Sequence, residues 1–210
     1  MNKAAIFDMD GVLVDNMKFH EQAFYEFGKR RGVEITHDFF HTKLSGKTNE
    51  QIMPIIFGTQ ISTSEIKQMG EQKEAIYREI YEPIIKPCAG LIDFLDNLVH
   101  RNIGMAIASN APKENIYFVV NELKLDKYFK IFLNGDDVAM PKPAPDMFLK
   151  AANLLGCKPE NSTVFEDSPG GIRAAKAANM KAIALLTTHK KEELIGADAY
   201  FDDFVNILID

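Results

Sequence analysis

Five short apolar runs, each ending in polar or small residues, restrict this chain to very few architectures. They are Ala4-Ala5-Ile6-Phe7, Met105-Ala106-Ile107-Ala108, Ile131-Phe132-Leu133, Thr163-Val164-Phe165 and Ala182-Ile183-Ala184-Leu185. Each is continuous rather than alternating, the pattern of a strand buried on both faces. Between them lie Leu91, Phe94, Leu95 and Leu98, then Ile116 to Leu123, then Phe148 to Leu155, then the Ala-rich GGIRAAKAANM, all with helical character. Strands alternating with helices from about residue 88 onward predict a parallel sheet covered by helices. In such sheets ligands bind beyond the carboxyl ends of the strands. The residues directly after each run are therefore the ones to read for chemistry.

Residues 15–82 interrupt the alternation. His20, Phe24 and Phe27 share one helical face, with Ala23 beside them. Thr48-Asn49-Glu50-Gln51 and Ser62-Thr63-Ser64-Glu65 both have the form of a capping box at a helix start. The second leads into a long polar-charged helix through Tyr81, which Pro83 and Pro87 end. The expected organisation is an α/β, Rossmann-like core of residues 1–14 and 83–210, with an inserted all-α cap of residues 15–82. A length of 210 residues suits one sizeable core plus such a unit.

Asp8, Asp10 and Gly11 follow the first run, and Ser109 and Asn110 follow the second. Beyond the third, past a Gly-Asp-Asp turn, comes Met140-Pro141-Lys142-Pro143, and the fourth gives way to Glu166, Asp167 and Ser168-Pro169-Gly170-Gly171. Each has an ordinary explanation taken alone: a solvated Asp-Gly turn, a helix cap before Pro112, a loop lysine, an acid pair favoured by a helix dipole. A calcium loop is excluded, because the fifth and sixth positions counted from Asp8 are Val12 and Leu13. A parallel sheet would bring all four groups to one edge, which four separate explanations do not account for.

Such an edge suits phosphoryl transfer. Oxygen-rich acidic clusters bind Mg²⁺, a carboxylate can attack phosphorus, and a second acid can move the proton. Hydroxyl, amide and lysine donors stabilise the charge on the equatorial oxygens.

The combination Asp8-x-Asp10-Gly11, Ser109 after an apolar strand, Lys142 within Lys-Pro-x-Pro-Asp, and Glu166-Asp167 resembles the haloacid-dehalogenase superfamily of phosphotransferases over essentially the whole chain. FDMDGVLVD and PKPAPDMF are especially similar to the β-phosphoglucomutase-like branch, which carries a helical cap. The resemblance implies that Asp8 is the nucleophile and a Mg²⁺ ligand. Asp10 would be the general acid/base, lending its backbone carbonyl to the metal. Ser109 and the Asn110 amide would hold the phosphate, Lys142 would neutralise nucleophile and phosphate, and Asp167 with Glu166 would complete the metal site. The second acid, Asp10, separates the chain from dehalogenase and phosphonate-cleaving relatives.

The same resemblance implies that the cap sets specificity, with His20 helping to position the acid/base, Gly46-Lys47-Thr48-Asn49 as the substrate loop, and Lys73 matching a cap lysine of the mutases. A partly buried cap polar group for His20 and a solvated helix lysine for Lys73 are the competing readings. Where the mutases place a phosphate-gripping arginine, this chain has Asn49, which cannot offer a charged bidentate contact; Lys47 compensates only in part. Asn16 replaces the threonine common at the mutase hinge. These departures favour water over a sugar hydroxyl as the acceptor. The expectation is a Mg²⁺-dependent phosphatase of a small phosphorylated metabolite such as a sugar phosphate. The alternative is a β-phosphoglucomutase, and a phospho-accepting signalling module is a more distant third.

Composition agrees with a small-molecule enzyme. Acidic residues outnumber basic ones, 30 to 24, so the chain lacks the basic footprint of a nucleic-acid binder. No apolar run approaches the ~20 residues of a membrane helix, and MNKAAIFDMDG has neither a secretory h-region nor transit-peptide character. Cys88 and Cys157 are far apart and suggest neither disulfide nor metal site. A cytoplasmic monomer is expected, with no nucleic-acid or membrane partner.

Overall fold

The first apolar run forms β1 (Ala4–Phe7), with every residue buried. A computed structural model describes residues 3–44 and 47–208. After β1 come α1 (Met17–Arg30), the short α2 (His37–Phe39) running into a π-helical turn over Phe40–Leu44, α3 (Asn49–Phe57) and α4 (Thr63–Tyr81). There follow α5 (Leu91–His100), β2 (Gly104–Ala108), α6 (Lys113–Glu122), β3 (Ile131–Leu133), α7 (Asp146–Leu154), β4 (Ser162–Glu166), α8 (Pro169–Ala177), β5 (Lys181–Leu185) and β6 (Ala199–Phe201). The chain divides into two compact units, Met1–Asp15 with Ile85–Asp210, and Asn16–Ile84.

In the first unit six strands form one sheet in the order β3-β2-β1-β4-β5-β6. Every pairing is parallel, as continuous apolar strands require. Side chains alternate between the two faces, and each face has its own core. Ile6, Ala106 and Val164 pack with Met147, Phe148 and Ala151 of α7 and with Ile172, Ala174 and Ala175 of α8. The small alanines let these helices lie close to the sheet. On the other face Phe7 stacks on Phe165 at 4.6 Å and meets Phe129 edge-on at 5.4 Å, while Phe94 lies 5.2 Å from Phe204. Aromatic pairs of this kind add about 0.5–1.5 kcal/mol each beyond area burial.

The strand order reverses at β1: the chain first builds outward through β2 and β3, then returns to the other side for β4. Phe7 pairs with Phe165, so residue 8 and residue 166 emerge side by side at the switch point. A sixth strand, absent from the sequence expectation, pairs Ile183 with Ala199 at the sheet edge. Its three half-buried residues are too few to show a period.

The second unit is all helical. Phe24 and Phe27 of α1 and Ile76, Tyr77 and Tyr81 of α4 are buried, and Phe19 stacks on Tyr81 at 4.7 Å. Both capping boxes form: Thr48 N donates to Gln51 Oε1 at 3.1 Å, and Ser62 N to Glu65 Oε2 at 2.8 Å. Pro83 falls in a 3₁₀ turn, Glu82–Ile84, directly after α4.

Candidate active site

Asp8 is delivered at the tip of β1, where its backbone N–H donates to Phe165 O at 3.0 Å and its side chain is buried. Lys142 arrives from the loop after β3. Its Nζ lies 2.8 Å from Asp8 Oδ1 and 2.7 Å from Glu166 Oε1, with the Phe148 ring 4.9 Å away. The loop that presents it is tied down by Asn110, whose Oδ1 accepts from Lys142 N and whose Nδ2 donates to Lys142 O, both at 3.3 Å. The Asn110 side chain is thus a strut between two strand-end loops. Ser109, also buried, extends the β2–β3 pairing by donating from N to Leu133 O at 3.0 Å, and its Oγ accepts from Ala111 N at 3.3 Å.

Glu166 ends β4 with both carboxylate oxygens engaged. Oε1 takes Lys142, and Oε2 accepts from Asp167 N, Ser168 N and Ser168 Oγ, each at 2.9 Å. Ser168 also caps α8, accepting from Gly171 N at 3.0 Å. Gly171 is required here because a Cβ would overlap the Glu166 carboxylate. Gly11 has a related role: its φ of +75° suits the turn after Asp10, and a Cβ would overlap Asp167.

Carboxylate oxygens of Asp8, Glu166 and Asp167 lie within 4.8 Å of one another. Asp10, half-buried in the turn after β1, contributes no side-chain oxygen to that group. Three buried carboxylates therefore face one ammonium. Burial, together with the Glu166 and Asp10 charges, pushes the Asp8 carboxyl up to about 7 despite Lys142. Burial and the Glu166 and Asp8 charges also hold Asp167 well above the usual range, against the Lys142 charge. Burial alone would lower Lys142, but Asp8 and Glu166 outweigh it and keep the ammonium charged. An all-oxygen group with surplus negative charge fits a hard divalent cation such as Mg²⁺, which would relieve this repulsion.

The loop after β5 adds groups that the sequence reading did not single out. Thr187 Oγ1 donates to Gly11 O, and His189 Nδ1 donates to Asp167 O at 3.0 Å. They stand directly after the fifth apolar run, at the same carboxyl edge of the sheet as the groups that follow the other runs.

In the helical unit, His20, Asn49 and Lys73 converge on Glu74, a residue the sequence reading did not single out. Lys73 Nζ lies 2.6 Å from Glu74 Oε1, which also accepts from Asn49 Nδ2 at 2.8 Å. His20 Nδ1 sits 3.3 Å from Lys73 Nζ and 3.8 Å from Glu74 Oε2, its ring stacked on Tyr77 at 3.8 Å. Lys73 is 2% and Glu74 5% exposed, so the solvated-lysine reading of Lys73 is corrected: packing of α1 against α4 encloses it. Burial works to raise the Glu74 carboxyl, but Lys73, His20 and the Asn49 hydrogen bond bring it down to about 2. Asn16 is also buried, donating from Nδ2 to Tyr77 Oη at 2.6 Å. Lys47 is exposed, while Gly46 lies outside the described residues. Among the described residues no helix is long and apolar enough to cross a membrane.

Known proteins resemble this chain in sequence and in fold. A family model described as haloacid dehalogenase-like hydrolase matches residues 5–185. The chain is 29% identical over 92% of its length to the chloroplastic 5-amino-6-(5-phospho-D-ribitylamino)uracil phosphatase of Arabidopsis thaliana, spanning about half (52%) of that relative. It is 31% identical to a phosphorylated carbohydrates phosphatase of Thermotoga maritima, covering 86% of this chain and 83% of the relative. It is 28% identical to the β-phosphoglucomutase of Bacillus subtilis, over 93% and 87% of the two chains. A solved HAD hydrolase of family IA, variant 3, from Entamoeba histolytica superposes with a TM-score of 0.91 at 31% identity, covering 99% of this chain and 96% of that one.

Proposed function

Because the chain belongs to the haloacid dehalogenase-like hydrolase family, we propose that it is a Mg²⁺-dependent phosphatase of a small phosphorylated metabolite, a sugar phosphate in the first instance. The observation that carries this reading is the buried Asp8 carboxylate at the sheet switch point, 2.8 Å from the Lys142 ammonium and grouped with Asp167. Phosphatase relatives that act on phosphorylated carbohydrates support the substrate class.

In this reading Asp8 attacks phosphorus in line while Asp10 gives its proton to the departing alcohol oxygen. The P–O bond to the alcohol breaks as the Asp8–phosphorus bond forms, leaving an aspartyl phosphate. Asp10, now a carboxylate, takes a proton from water as that water attacks phosphorus, releasing phosphate and restoring both acids. Ser109 Oγ and the backbone N–H of Asn110 hold the equatorial oxygens, and Lys142 balances their charge. Asp8, Asp167 and Glu166, with the Asp10 carbonyl, would hold the Mg²⁺, which supplies charge neutralisation to the transferring phosphoryl group.

A mutase has to grip a second phosphate. Asn49, at the position where the mutases carry their phosphate-gripping arginine, and Lys73, which matches a cap lysine of the mutases, are both engaged by Glu74. This supports water as the acceptor. Phosphate release from a panel of phosphorylated metabolites with Mg²⁺, with Asp8→Asn as the inactive control, tests the proposal. Turnover surviving Asp8→Asn would overturn the mechanism. Conversion of β-glucose 1-phosphate to glucose 6-phosphate with an activating bisphosphate, without free phosphate, would overturn the choice of acceptor.

A further inference from the structure

Outside the proposed phosphatase site, the helical unit carries a second group with the makings of a metal centre. Glu21 of α1 faces His37 and His41, which are four residues apart where α2 passes into the π-helical turn. Glu21 Oε1 lies 2.8 Å from His37 Nδ1 and 3.3 Å from His41 Nε2. The three donor atoms all fall within 4.8 Å of one another. In a tetrahedral site with arms of roughly 2.05 Å, donors stand roughly 3.3 Å apart, so these side chains need little movement to share one ion.

The group is held in place from behind. Phe40, between the two histidines in sequence, is buried and packs on Phe24 at 5.8 Å and Tyr25 at 6.3 Å. Tyr25 Oη donates to Glu21, orienting the carboxylate. Thr36 Oγ1 accepts from Phe39 N at 3.2 Å, and Thr42 Oγ1 donates to Asp38 O at 2.6 Å, fixing the segment that presents both imidazoles. The histidine side chains themselves are 72% and 49% exposed, so an ion could enter and keep a position for water. Single π turns of this kind recur at functional sites.

We propose that Glu21, His37 and His41 form a binding site for a borderline first-row divalent cation, zinc foremost, separate from the Asp8–Asp167 group. Two imidazoles and one carboxylate select such ions over Mg²⁺, which prefers oxygen. Binding ties the His37–Leu44 segment to α1 through three donor–metal bonds.

Zinc chloride titrated into the whole protein in excess Mg²⁺, followed by calorimetry and by the absorption of Co²⁺ as a substitute, tests this. The expected result is one equivalent per chain, with affinity reduced roughly tenfold or more in His37→Ala/His41→Ala. Asp8→Asn should bind zinc unchanged. Undiminished zinc binding in the double variant, loss of it in Asp8→Asn, or none in the wild type would overturn the proposal. An independent measurement needs no variant: zinc should shield His37 and His41 from diethyl pyrocarbonate, read by peptide mass. Equal modification with and without zinc would likewise overturn it.

Discussion

Lys73 and Glu74, consecutive on α4, meet in a buried ion pair at 2.6 Å. Consecutive helical residues point about 100° apart and do not ordinarily face each other. Here both long side chains bend into the space beside α1, where Asn49 and His20 complete the partners of the carboxylate. An ion pair so enclosed stands or falls as a unit.

Glu74→Ala should therefore destabilise the protein by about 3–5 kcal/mol, because it leaves the Lys73 ammonium buried without its counter-ion. Replacing both partners with apolar residues, Lys73→Met/Glu74→Leu, should recover most of that loss. Urea unfolding of the three variants measures both effects. A single-variant loss below about 1 kcal/mol would mean that the pair is solvated.

The same carboxylate should make stability depend on acid. Its folded value of about 2 lies below the ordinary 4.5, so its contribution is complete above about pH 4.5 and is lost as pH falls toward 2. The gap corresponds to about 3 kcal/mol. Unfolding free energies of the wild type and Glu74→Gln should differ most near neutrality and converge as the pH falls below about 4. A difference that stays constant with pH would refute this assignment.

Mg²⁺ should raise the melting temperature, and more so in mild base than in mild acid. Without metal, the Asp8 carboxyl titrates near 7, so protons compete with the cation below that value. Thermal melts with and without Mg²⁺ at several pH values follow the effect, which grows with the logarithm of metal concentration. A shift indifferent to pH across 7 would remove Asp8 from the ligand set.

Gly171→Ala should lower kcat while leaving the fold intact. The added Cβ overlaps the Glu166 carboxylate and forces it off Lys142. A displacement of about 1 Å at a positioning group costs on the order of 100-fold in rate. Steady-state kinetics beside a circular dichroism melt separate this from unfolding, and an unchanged kcat would mean that Glu166 does not position Lys142.

Several of these groups were legible before any fold was known. Asp8, Ser109, Lys142 and Glu166-Asp167 stand after apolar runs whose type is unambiguous, and a parallel sheet sends every carboxyl end to one edge. The loop after β5 was legible by the same rule, although its Thr187-Thr188-His189 carries no acid or lysine to draw notice. β6 was not, because three residues at a sheet edge show neither period nor continuous burial. Glu74 was not, because a Lys-Glu step in a charged helix reads as a solvated face.

Which reactive group follows which strand is written locally in the chain, since backbone hydrogen bonding and apolar continuity dictate the sheet. Which charges are buried, and with whom they pair, follows from packing instead. Lys142 with Asp8 and Glu166, Lys73 and Glu74 with Asn49 and His20, and Glu21 with His37 and His41 join residues brought together by packing. Burial belongs to the partners that enclose a side chain, and those partners lie far along the chain.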